Sequence, residues 1–204
     1  NKYKRKRFSI LGDSISTLES YNPDGYNVFY DEEHCFYADI KSMSDTWWGK
    51  VIDFFGGELL VNNSWSGSRV TKLPQLNTLF PSGCSKERTS SLHMDRRHPD
   101  VIIIYMGTND WANGVEIDTD EGLLYNMKFF CDAYKTMIQQ IQSNYPNAEL
   151  WCCTLSETKI INTIINEIIY PTKRYISTIR PSISPIIFIH SSHKYTISIY
   201  HIWW

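Results

Sequence analysis

The chain has 204 residues, 42% of them hydrophobic and 21% charged, with 20 Lys and Arg set against 22 Asp and Glu. That length suits one domain with a sizeable core, and the apolar content and balanced charge together exclude collagen-like, disordered and polybasic nucleic-acid-binding chains. No apolar stretch approaches the about 18–20 residues that cross a bilayer, so no transmembrane segment and no nucleic-acid partner is expected.

The opening Lys2, Lys4, Arg5, Lys6 and Arg7 have the charge of a signal-peptide start. The apolar run behind them is only Phe8 to Leu11 and is interrupted by Ser9, so the segment reads as a solvated start. A cytoplasmic location is the expectation, with an export signal removed ahead of Asn1 as the alternative. Phe8-Ser9-Ile10-Leu11 is then the first strand, Leu59-Leu60-Val61 the second and Val101 to Met106 the third. The unbroken apolarity of the third fits a strand covered on both faces. Apolar residues at three-and-four spacing from Tyr125 to Tyr145 predict a core-facing helix ended near Pro146, and Leu150 to Leu155 supplies a fourth strand. Strand, crossover helix and strand in this order predict a parallel sheet wrapped by helices. Asn22 to Thr46 lacks clear periodicity and Leu73 to Arg97 carries loop signals around Pro81 and Gly83, so both read as long surface insertions.

At Ser156 the composition breaks. From Glu157 to Trp204 there is no Gly, Ala, Val, Leu or Asp, yet there are 15 Ile. Four of those five absent residues have only codons beginning with G, which suggests translation out of the ancestral frame of an AT-rich gene, a matter the nucleotide sequence decides. The expected organisation is therefore an α/β domain over 1–156 and a biased tail over 157–204, packed into the same domain or disordered. Within the tail, Ile160 to Ile169 carry a helical stripe and Tyr195 to Ile202 alternate like a strand.

Five cysteines (Cys35, Cys84, Cys131, Cys152, Cys153) are an odd number, with their only close pair adjacent in sequence. They suit neither a disulfide framework nor a zinc knuckle, and reduced, buried thiols are expected. With no Gly-rich phosphate loop, Gly-x-Gly-x-x-Gly or His-Glu-x-x-His run, neither cofactor nor metal is expected.

Each of the first three strands ends in a polar cluster. These are Gly12-Asp13-Ser14-Ile15-Ser16, then Asn62 to Arg69, then Gly107-Thr108-Asn109-Asp110-Trp111. Ligands bind open α/β sheets at the carboxyl ends of the strands, so the clusters should converge. Any one of them is ordinary turn or cap chemistry. Together and in this order they resemble the blocks of the SGNH or GDSL-type esterases and acylhydrolases: Gly-Asp-Ser, a Gly, Gly-x-Asn-Asp and a late Asp-x-x-His. Three of the four are present, over residues 7–156. The resemblance implies a three-layer, flavodoxin-like fold with a parallel sheet and helices on both faces, atypical in its C-terminal part. It also implies a Ser nucleophile with two oxyanion donors beyond its own N–H.

In that scheme Ser14 is the nucleophile, presented where strand becomes helix, while Gly67 offers an unobstructed backbone N–H and Asn109 a side-chain amide. Asp13 and Asp110 support the loops. The general base is missing from its usual place: no Asp follows Asp132, so none of His190, His193 and His201 completes an Asp-x-x-His. Asp95-Arg96-Arg97-His98 has the right spelling but precedes the third strand, which puts it at the opposite end of the sheet. His34 and His93 fall in the insertions, leaving His193 as the candidate by chain position. Trp47, Trp48, Trp65 and Trp111 fit either aromatic walls for an acyl chain or sugar ring, or plain packing.

The expected function is hydrolysis of a small-molecule acyl or acetyl ester, with oligomeric state open. The rivals are an SGNH scaffold that has lost its base, serving as a binding module or impaired enzyme, and a flavodoxin-like domain whose strand-end loops hold an anion.

Overall fold

The computed structural model describes residues 1–32, 40–72, 81–116 and 129–155, together with the backbone of 188–190 and 196–202. Six strands form one sheet: β1 (Arg7–Gly12), β2 (Glu58–Ser64), β3 (Val101–Tyr105), β4 (Glu149–Cys153), β5 (Phe188–His190) and β6 (Thr196–Ile202). Their order is β2-β1-β3-β4-β6-β5, parallel from β2 through β4 and antiparallel for β6 against β4 and β5 against β6. The four strands read from the sequence are the four parallel ones. The alternating tail segment is β6, which runs antiparallel along β4 with Cys153 opposite Ile199 and Leu150 opposite Ile202. The edge that β4 would otherwise leave open is thereby paired.

Helices cover both faces. α1 (Trp47–Phe55) starts at Thr46, whose Oγ1 accepts a hydrogen bond from Gly49 N at 2.9 Å, and packs on one face. There Trp151 of β4 lies edge-on to Tyr3, Phe8 and Phe55 at centroid distances of 5.1, 5.6 and 5.1 Å. The next residue along the strand, Cys152, faces the other side, toward Tyr134 of α4 (Phe130–Asn144). α4 buries Phe130, Tyr134, Met137 and Ile141 and packs beside α2 (Lys86–Ser90). Every residue of β3 is buried, as a central strand between two helical layers requires. The predicted crossover helix starts later than the periodicity from Tyr125 implies: Phe129 is extended, with ψ 139°, and α4 begins at Phe130, while residues 117–128 lie outside the described residues.

Cys84, Cys131, Cys152 and Cys153 are free and buried, and burial pushes the Cys152 thiol up to about 12. Cys35, the helical stripe from Ile160 to Ile169, and His193 fall outside the described residues. Among the described residues, no helix is long and apolar enough to cross a membrane.

Candidate active site

Parallel register brings the carboxyl ends of three strands side by side. Gly12, the last residue of β1, is paired with Ser64 on one flank and Tyr105 on the other. Each strand there gives way to one of the polar clusters, and hydrogen bonds tie the clusters together. Trp65 N donates to Gly12 O at 3.1 Å, joining the first two. Asn109 Nδ2 donates to Ser68 O at 2.8 Å, joining the third to the second. Asp110 accepts from Val70 N at 2.8 Å, Thr71 N at 3.0 Å and Thr71 Oγ1 at 2.7 Å, a second rivet between them.

Ser14 opens a single 3-10 turn, Ser14–Ser16, directly behind β1. Asp13 caps it, its Oδ1 accepting from Ile15 N at 3.3 Å. The turn is fixed from beneath: Trp47 Nε1 donates to Ser16 Oγ at 3.2 Å, and Trp48 Nε1 and Asn62 Nδ2 donate to Ser16 O at 2.9 and 2.8 Å. Trp47 and Trp48 are thus buried anchors of the serine turn. Gly12 makes this packing fit, because a Cβ there would lie 2.5 Å from Ser16 Oγ and 2.8 Å from Ser64 Oγ. Ser14 itself is half-buried, and its hydroxyl makes no hydrogen bond with a described residue.

Gly67 has φ +82°, in the left-handed region that favours glycine, and its N–H makes no hydrogen bond with a described residue. Asn109 and Asp110 lie in α3 (Thr108–Ala112), one short turn past β3. Trp111 follows on that turn, 55% exposed, while Trp65 is half-buried with the Tyr26 ring tilted against it at a centroid distance of 4.4 Å. All five residues singled out in the three clusters therefore sit at one end of the sheet.

Two carboxyls are buried there. Burial pushes Asp13 up to about 7 and is aided by Asp110, against the backbone hydrogen bond from Ile15 and the opposing charge of Arg88. Its Oδ2 makes no well-formed hydrogen bond, with Thr108 beside it. Burial also raises Asp110, against the three donors of Val70 and Thr71.

Arg88 of α2 was hidden by the reading of Leu73 to Arg97 as a surface insertion. It is fully buried and donates to five acceptors: Asn63 Oδ1 and O, Ser68 Oγ, Pro81 O and Gly12 O, at 2.6 to 3.1 Å. The other supposed insertion also reaches the site, since Asn22 Nδ2 donates to Asn62 O and Ser64 O at 3.1 and 2.8 Å. A local signal for α2 was present in Ser85, whose hydroxyl caps the helix by accepting from Arg88 N at 3.3 Å.

The histidines are elsewhere or outside the described residues. His93 and His98 stack 5.5 Å apart near Tyr145, whose hydroxyl accepts from Leu92 N and lies 3.1 Å from His93 Nδ1. This cluster is at the amino end of the sheet, where Asp100 joins the start of β1. His190 and His201 lie on β5 and β6, and His193 is outside the described residues. Among the described residues, no group of three or more His, Cys, Asp or Glu side chains could hold a metal ion.

Comparison with known proteins adds a family to this geometry. The family model described as GDSL-like lipase/acylhydrolase matches residues 6–182, a range that runs past the composition break at Ser156. Crystal structures of proteins classed as GDSL-like lipases superpose on the chain. One from Bacteroides ovatus has a TM-score of 0.68 and 27% identity, over 93% of this chain and 89% of that one. One from Bacteroides uniformis has a TM-score of 0.70 and 26% identity, over 93% and 87%. The cellulase/esterase CelE of Acetivibrio thermocellus is 34% identical over 55 residues, 27% of this chain, and the match spans only 6% of that protein's length.

Proposed function

The chain belongs to the GDSL-like lipase/acylhydrolase family, and on that premise we propose that it hydrolyses acyl or acetyl esters of small molecules with Ser14 as the nucleophile. The observation that carries this reading is the junction of the three clusters, in which Asn109 is hydrogen-bonded to Ser68, the residue after Gly67, beside the end of the strand that delivers Ser14. Ser14 Oγ attacks the ester carbonyl and gives its proton to a base. The tetrahedral oxyanion is held by the N–H groups of Ser14 and Gly67 and by the second amide hydrogen of Asn109, the first being engaged by Ser68 O. Collapse expels the alcohol, which takes the proton back from the base, and leaves an acyl-serine; water, deprotonated by the same base, then attacks it and releases the acid and the free Ser14 hydroxyl. Asp13 and Asp110 support the loops and touch no reacting atom. His193 is the base in this proposal. The tail over 157–204 then supplies both an edge strand and the proton acceptor, and works with 1–156 as one unit.

A second reading is favoured by the absence of any Asp after Asp132: the scaffold persists without its base, as an impaired enzyme or a binding module. Turnover of a small aryl acetate separates the two. Under the first reading Ser14→Ala lowers kcat by about 10³-fold or more, and His193→Ala does so too. The wild-type rate then rises with pH through an imidazole-like titration. Equal rates for wild type and Ser14→Ala overturn the serine mechanism. Slow Ser14-dependent hydrolysis, flat with pH and indifferent to His193→Ala, favours the impaired scaffold.

A further inference from the structure

A cation withdrawn completely from water is an expensive way to fill a core, since an apolar side chain of similar volume often does so at lower cost. Arg88 is such a cation, and among the described residues no carboxylate forms an ion pair with it. Its charge is instead spread over carbonyl, amide and hydroxyl oxygens, and burial lowers the group only to about 10, so it stays charged at neutral pH. The positions of those acceptors are informative. Gly12 O is one residue before Asp13 and two before Ser14. Ser68 Oγ belongs to the residue after Gly67, and the carbonyl of the same Ser68 receives the Asn109 amide. Asn63 accepts twice, through Oδ1 and O, and lies in β2 directly beside β1. One planar fork therefore bonds to a neighbour of each group assigned above to the oxyanion.

Resting on that assignment, we propose that Arg88 is a positioning residue, whose guanidinium fixes the Gly12 carbonyl, Asn63 and Ser68 relative to one another and so sets where the N–H groups of Ser14 and Gly67 and the Asn109 amide stand. The five donors of the fork are required for this. A lysine would keep the charge but offers three rotatable donors from one point, too few and too freely oriented to span the same acceptors. Displacement of oxyanion donors by a fraction of an ångström weakens their grip on the transition state more than on the substrate.

Arg88→Lys and Ser68→Ala test this, with Ser14→Ala assayed alongside on the aryl acetate. Arg88→Lys should lower kcat about 10–100-fold with KM changed by less than about twofold, and Ser68→Ala should lower kcat by a smaller factor, about 3–10-fold. Affinity for an aryl boronic acid, which forms a tetrahedral adduct on the serine, should weaken by the same factor as kcat/KM in each variant. A merely structural role would instead reduce the fraction of active protein and leave the boronate affinity of that fraction untouched. Far-UV circular dichroism and melting verify the fold. If Arg88→Lys does not fold, Ser68→Ala, which removes one acceptor of the fork, the bond that the hydroxyl donates to Pro81 O at 2.6 Å and little volume, decides alone. Folded variants with kcat and boronate affinity within about twofold of wild type overturn the proposal. Loss of turnover in Ser14→Ala with no effect at Arg88 and Ser68 overturns it while sparing the serine mechanism. Full turnover in Ser14→Ala, or none in the wild type, overturns both.

Discussion

The two ends of the sheet use charge in opposite ways. At the amino end, Asp100 accepts from Arg7 N and Nε at 2.9 Å and from Lys6 Nζ at 3.1 Å, and Lys2 meets Glu149 at 3.1 Å, all partly in contact with water. At the carboxyl end, Asp13, Asp110 and Arg88 are buried, and none forms an ion pair with another. Each spends its hydrogen bonds on backbone and neutral side chains of neighbouring loops. Exposed pairs tolerate small movements because water replaces whatever they lose, and they contribute about 0–1 kcal/mol apiece. Buried single charges tolerate none, because a donor or acceptor left alone there keeps its full desolvation cost. Tight hydrogen-bond constraint is therefore concentrated at the end of the sheet that holds Ser14.

Substitutions at the two ends should therefore diverge. The largest effect is expected for Asp110→Asn, which turns one acceptor oxygen into a donor facing the N–H of either Val70 or Thr71, each of which is now accepted by a different oxygen. A loss of about 2–4 kcal/mol is expected, read as a fall of roughly 5–12 °C in Tm, together with reduced ester turnover. Unchanged melting would break the contrast. Gly12→Ala comes next, since a Cβ 2.6 Å from Ser16 Cβ forces either β1 or the serine turn to move. It should cost about 1–3 kcal/mol and at least about tenfold in kcat, measured by denaturant titration and steady-state kinetics.

The third effect is one of pH. Asp13 titrates near 7 in the folded protein against 3.8 for the ordinary carboxyl, so the folded state holds the extra proton between those values. Its stabilising contribution is complete below about pH 4 and is lost as pH rises through 7. The wild type should lose more Tm between pH 5 and 8 than Asp13→Asn does, by an amount on the order of a few kcal/mol in stability. Asp110, also raised, adds a slope of the same sign in both proteins. Asp100 has the reverse dependence. Partial burial acts against it, yet the Arg7 side chain and backbone and Lys6 bring it down to about 2, so what it contributes is present above pH 4 and fades as pH falls through 2. Asp100→Asn should be the mildest change, about 1 kcal/mol at neutral pH with kcat intact. A large loss of activity there would erase the distinction between the two ends.

Much of this was legible in the sequence for a simple reason. β1 and β3 are apolar runs too short for helices and too continuous for a half-exposed sheet, and the Gly-Asp-Ser and Gly-Thr-Asn-Asp clusters follow them directly. Strand-end position then carried the clusters to one edge. Arg88 was invisible because Lys86-Glu87-Arg88 has the composition of a solvated face, and its acceptors, chiefly carbonyl oxygens, leave no mark on residue identity. Trp47 and Trp48 were legible as walls or packing but not as anchors, since their indole donors are directed at Ser16, about thirty residues earlier. The direction of β6 was equally hidden: alternation marks a strand, whereas antiparallel pairing depends on a chain path that periodicity does not encode.

That pairing makes a modest demand on residue identity. A β-ladder is knitted from main-chain amides and carbonyls and asks of its residues chiefly that they stay extended, a demand isoleucine meets better than most. The flank of the sheet beside β4 is thus sealed by a strand from a tail of narrowed alphabet, one with 15 Ile and no Gly, Ala, Val, Leu or Asp. Closure of this edge therefore asks for extension of the chain rather than for any particular side chain.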